Sequence, residues 1–91
     1  MKPVQKKITL IFPSNTDGRL THRIRNFAED LWREIEKSGL GDVGGLETVD
    51  QAVDILTIQI KHARKTGYVR KRVRNLLKSH LLADSAETQY S

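Results

Sequence analysis

Leu20, Ile24, Phe27, Leu31 and Ile35 recur at spacings of four, three, four and four, and Arg23, Arg25, Glu29, Asp30, Arg33, Glu34 and Lys37 occupy positions between them. This spacing lines the apolar residues along one side of a helix, and a helix with a single apolar stripe has to bury it against another layer. Gly39 can take the left-handed conformation that releases a chain from a helix, which predicts a helix from about Arg19 to Ser38. The remainder of the chain must supply the covering layer.

Strand-like runs provide it. Ile8, Leu10 and Phe12 alternate with Thr9 and Ile11 before Pro13 and the turn-forming Ser14-Asn15-Thr16-Asp17-Gly18. Leu56, Ile58 and Ile60 alternate with Ile55, Thr57 and Gln59, a β-branched run that predicts a strand over Val53 to Ile60. A turn near Asp50-Gln51 joins it to an expected strand over Val43 to Val49, where Gly44-Gly45 points to a bulge or a close backbone approach. A second helical stripe contains Val69, Val73, Leu76, Leu77 and Leu81, with Thr66 as the expected cap and Gly67 opening the turn. Glu87 to Tyr90 can add a short closing strand.

The resulting order is strand, helix, strand, strand, helix and a short last strand. It predicts an α+β fold of the ferredoxin-like, split βαβ type, an antiparallel sheet with helices on one side. Leu10, Phe12, Ile24, Phe27, Leu31, Leu56, Ile58, Val73, Leu76 and Leu77 are the expected core. Residues 1–83 read as a single domain and 84–91 as a polar tail. Ile11 and Ile55 fall on the side that the helices leave uncovered, which makes them the expected surface of a homodimer.

The run Gly41-Asp42-Val43-Gly44-Gly45-Leu46-Glu47, followed by Val53-Asp54-Ile55-Leu56-Thr57-Ile58, resembles the glycine-containing hairpin of small ferredoxin-like bacterial domains, some associated with toxin immunity. The resemblance covers about one-fifth of the chain. It implies a small protein-binding module and carries over no functional residue.

Ninety-one residues leave room for one core. A domain of this size is expected to hold a net stability of roughly 5 to 10 kcal/mol. The absence of cysteine excludes disulfides, thiolate chemistry and sulfur-ligated zinc, and fits a reducing compartment. The charged start, Met1-Lys2-Pro3-Val4, does not read as a secretory signal, and Lys61, Arg64 and Lys65 interrupt the apolar run before them, so a cytoplasmic location is expected.

The net charge of +5 conceals a strong segregation. Residues 1–28 carry +5, residues 29–54 carry −6, residues 55–83 carry +8 and the tail carries −2. Segregated charge can steer an anionic partner onto one surface, or an acidic patch of a second copy onto the basic one. The basic block places Arg70, Lys71, Arg74 and Lys78 opposite the second apolar stripe, with Arg70, Arg74 and Lys78 four apart along one line. Like charges at that spacing repel by a few tenths of a kcal/mol per pair, which a bound polyanion would offset. Lys61, Arg64 and Lys65 extend the group. Tyr68 within it either closes the helix against the core or stacks on a base while its neighbours contact phosphates.

Catalytic groups are harder to assemble. His22, His62 and His80 show no metal-ligand spacing, and no cofactor motif accompanies the glycines. Glu47 and Asp54 could form a carboxylate pair only if the hairpin placed them together. Trp32 borders the first stripe. Two functions follow: a non-enzymatic protein-interaction module, acting as an inhibitor, immunity-like or self-associating domain, or a nucleic-acid-binding module that uses the basic helix 61–78.

Overall fold

The computed structural model describes residues 6–13, 18–50 and 53–91. Two helices pack on one side of a five-stranded antiparallel sheet. Strand β1 (Lys6–Phe12) lies at its centre between β4 (Val53–Ile60) and β5 (Glu87–Tyr90). Along the far edge of β4 run two short strands, β2 (Gly41–Val43) and β3 (Glu47–Val49). The element order is the one read from the sequence, with the first strand of the hairpin broken in two and the closing strand in place on β1.

That break is a bulge. Val43 pairs with Ile58 and Glu47 with Ile55, so three residues on the edge, 44 to 46, oppose two on β4. Gly44 stays bound through its N–H to the Thr57 carbonyl at 2.7 Å. Asp50, with φ 53°, begins the tight connection to β4, a conformation that aspartate tolerates better than most residues. The other half of the expected turn, Gln51, lies outside the described residues, as does 14–17 of the first turn.

Gly41 supplies the close approach. A Cβ there would collide with the backbone carbonyl of Gln59, whereas one on Gly45 would meet nothing within 4 Å. Gly41→Ala is therefore expected to lower stability by about 1 to 3 kcal/mol through displacement of the edge strand. Gly45→Ala should stay neutral or gain slightly. Urea unfolding midpoints of the two variants test this contrast.

The first helix, α1 (Thr21–Leu31), continues as a π turn over Trp32–Glu36. Its start is two residues later than expected, after Gly18 at φ 76°, and Gly39 ends it at φ 82°. The π turn keeps Ile35 in the core while Glu36 Oε1 accepts the Val43 N–H at 3.2 Å. A short 3₁₀ turn (Ala63–Lys65) leads into α2 (Thr66–Ser79). Thr66 is the first helical residue and not the cap; its hydroxyl donates to the Ala63 carbonyl at 2.7 Å.

Ile8, Leu10 and Phe12 from β1, Leu56, Ile58 and Ile60 from β4, Ile24, Phe27, Leu31 and Ile35 from the first helical segment, and Val69, Val73 and Leu77 from α2 form one core. Leu76, expected inside, is half-buried at its edge. Leu81 departs from the expected stripe altogether and is 72% exposed. The helix has ended by then: Leu81 takes φ 59°, its N–H bonds to Lys78, and the Leu82 N–H bonds to Leu77. This is a Schellman closure, and it turns Leu82 into the core in place of Leu81.

Candidate functional site

The outer side of α2 carries a concentration of charge without ion-pair partners among the described residues, and helix geometry explains which cations reach it. With Val69, Val73 and Leu77 buried, the opposite surface belongs to Lys71, Arg74, Asn75 and Lys78, all exposed. Lys71 to Lys78 spans about 10 Å along the axis. None of the three cations has an ion-pair partner among the described residues. Tyr68 stands one turn before Lys71 and is 52% exposed, so it does not close the helix against the core. The Lys65 ammonium lies 5.9 Å from its ring centroid, and Arg64 is exposed in the same 3₁₀ turn.

Two residues expected in this group are engaged elsewhere. Arg70 lies over the ring of Tyr90, with its guanidinium carbon 4.1 Å from the ring centroid. The cause is the register of β5: Tyr90 pairs with the buried Ile8, so its side chain is on the helix side of the sheet, within reach of the flank of α2. Arg70 is consequently half-buried, and Arg70, Arg74 and Lys78 do not form one outward line. Lys61 sits 3.6 Å from Asp42 across the other sheet edge.

Part of the charge segregation is spent between the helices. Arg72 on α2 is ion-paired to Glu34, 38 positions earlier. That hydrogen bond and the carboxylate charge hold the Arg72 guanidinium above its ordinary pKa, so it stays charged. His80 Nε2 lies 2.6 Å from Asp30 Oδ2, with the imidazole against the edge of Phe27 at 5.9 Å between centroids. Arg33 also reaches Asp30, at 3.4 Å. Glu34 thus neutralises Arg72 at the inner margin of α2 and leaves the outer surface of the helix untouched.

The remaining candidates separate. Glu47 pairs with Ile55 on the uncovered side of the sheet. Asp54 is buried on the helix side, where it accepts the Thr48 hydroxyl at 2.7 Å. The two carboxylates therefore lie on opposite sides and do not form an acid–base pair. Among the described residues, no three His, Cys, Asp or Glu side chains gather as a metal-binding group. Trp32, expected at the core edge, is 46% exposed. No helix of the described residues is long and apolar enough to cross a membrane.

Ile11 and Ile55 are directly paired on the uncovered side and half-buried. The row they form continues to Glu47 on one side and Glu87 on the other. Next to it lies the row of Thr57, Thr9 and Gln89, and then Asp42, Gln59 and Lys7. A shallow cavity of about 280 Å³ opens beside the bulge between Asp42, Val43, Gly44, Thr57 and Gln59.

Comparison with known proteins gives a fold and no family. No family model matches the chain, and no curated protein matches it. Among solved structures it is similar to a de novo designed protein, Foldit4, with a TM-score of 0.57 and 15% identity over 96% of this chain and 91% of that one.

Proposed function

We propose that this protein is a non-enzymatic module that binds nucleic acid through the outer side of α2. The observation that carries the reading is the stripe Lys71, Arg74 and Lys78, which is exposed, without ion-pair partners among the described residues and free of apolar residues. Protein interfaces are built around a desolvated apolar or aromatic centre and are depleted of lysine, so this stripe gives a protein partner little to bury. A phosphate backbone needs only positioned cations, and it gains from the release of condensed counterions. The ion pair of Arg72 with Glu34 and the stacking of Arg70 on Tyr90 support the same reading, because they leave Lys71, Arg74 and Lys78 as the exposed cations of α2.

Tyr68 refines it. An exposed ring beside Lys65 and one turn from Lys71 can stack on an unpaired base while the cations hold the adjoining phosphates. Base stacking on an aromatic residue contributes about 1 to 3 kcal/mol. Titration of fluorescent single-stranded and duplex oligonucleotides is the test. Micromolar binding at low salt is expected, and Tyr68→Ala should weaken single-strand binding about fivefold or more while changing duplex binding little. Undetectable binding of both oligonucleotides at micromolar protein would refute the assignment.

A further inference from the structure

The side of the sheet away from the helices carries the opposite charge character from α2. In the row Glu47, Ile55, Ile11, Glu87, two paired isoleucines are bracketed by two carboxylates, and neither glutamate forms an ion pair among the described residues. Val53, half-buried on the same side, extends the apolar strip along β4. The cations on the described part of this side, Lys7 and Lys61, stand two or more rows away, Lys7 in the row of Asp42 and Lys61 ion-paired to Asp42. A surface of this charge occurs within a chain whose net charge is +5.

The spacing of the row selects an occupant. Glu47 on β3 and Glu87 on β5 are three strand separations apart, about 14 Å. An α-helix with its side chains is about 10 Å across, so one laid along the strands between them would cover Ile11, Ile55 and Val53 and present each flank to one glutamate. We propose that this face docks a cationic amphipathic helix of another protein, its apolar stripe on the isoleucines and its lysines or arginines against Glu47 and Glu87. A second copy of this chain fits less well. The two-fold arrangement that stacks Ile11 on Ile55 of the second copy also sets Glu47 over Glu87, because all four residues share one row.

The site is on the side of the sheet opposite α2 and does not depend on nucleic-acid binding. Its test uses the whole protein, isotope-labelled, and two synthetic helical peptides with the same leucine stripe, one flanked by lysines and one by glutamates. The lysine peptide should shift the amide signals of Thr9, Ile11, Ile55 and Thr57, and the glutamate peptide should not. The double variant Glu47→Lys, Glu87→Lys, at two exposed positions, should bind the lysine peptide about tenfold more weakly and gain affinity for the glutamate peptide. Absence of binding, shifts confined to other residues, or unchanged affinity in the double variant would overturn the proposal. So would sedimentation showing a dimer that Ile55→Lys dissociates, which would assign the face to a second copy.

Discussion

Phe27→Ala is expected to be the most destabilising single truncation in this protein, with a large fall in its melting temperature. Phe27 is fully buried where the layers meet, its ring edge-on to Phe12 at 6.3 Å and to His80 at 5.9 Å. Truncating such a side chain typically costs about 3 to 5 kcal/mol, through lost burial and the cavity left behind. A domain of this size holds roughly 5 to 10 kcal/mol in all, so the variant loses from about a third to all of its stability. The loss also removes the surface against which His80 and Asp30 meet, and with it one of the contacts that set α2 beside α1. Leu76→Ala provides the internal comparison. Leu76 is only half-buried, at the margin of the core, so it should melt well above Phe27→Ala. Thermal and urea unfolding of both variants decide the matter; a Phe27→Ala melt within a degree or two of the parent would show the core to be wrongly placed.

Much of this architecture was legible in the sequence because it follows from periodicity. Ile8, Leu10 and Phe12, or Ile24, Phe27 and Leu31, bury themselves for reasons local to their own elements, and the glycines at 39 and 44–45 mark an ending and a bulge, whereas the close approach at Gly41 shows only in the structure. The misreadings arise where periodicity stops. Leu81 continues the helical spacing of α2, but the helix closes before it, and the next residue takes the core position. Trp32 sits at the margin of its stripe, where a small rotation of the helix separates burial from exposure, and Tyr68 lies on the outer side of α2 with Lys71.

The candidate site was legible only as a charge pattern. That residues 55–83 are cationic is plain from composition. Which cations remain available depends on contacts between distant elements: Glu34 with Arg72, and Tyr90 with Arg70. The last depends on the register of a four-residue strand with no strong sequence signature. One residue of slip would turn Tyr90 to the other side of the sheet and release Arg70. The acid-flanked isoleucine row was equally hidden, since Glu47, Ile55, Ile11 and Glu87 come from four strands.

The largest functional effect is expected from removing the outer cations of α2 together. Each phosphate contact contributes close to one unit to the slope of log affinity against log salt, about 0.9 on duplex DNA and about 0.7 on single strands. Three contacts alone would weaken duplex binding roughly fortyfold between about 50 and about 200 mM salt, and single-strand binding roughly twentyfold. The variant Lys71→Ala, Arg74→Ala, Lys78→Ala should lose that share of the dependence while remaining folded, because all three side chains are exposed and unpaired among the described residues. Arg70→Ala is the matched control. Its guanidinium is held over Tyr90, so its removal should cost some stability and leave the salt slope nearly unchanged. The decisive measurement is therefore the salt slope of oligonucleotide binding for the parent, the triple variant and Arg70→Ala. Binding through the outer side of α2 predicts a slope reduced by about two to three units in the triple variant and preserved in Arg70→Ala. A triple variant that kept the parent slope and affinity would contradict it.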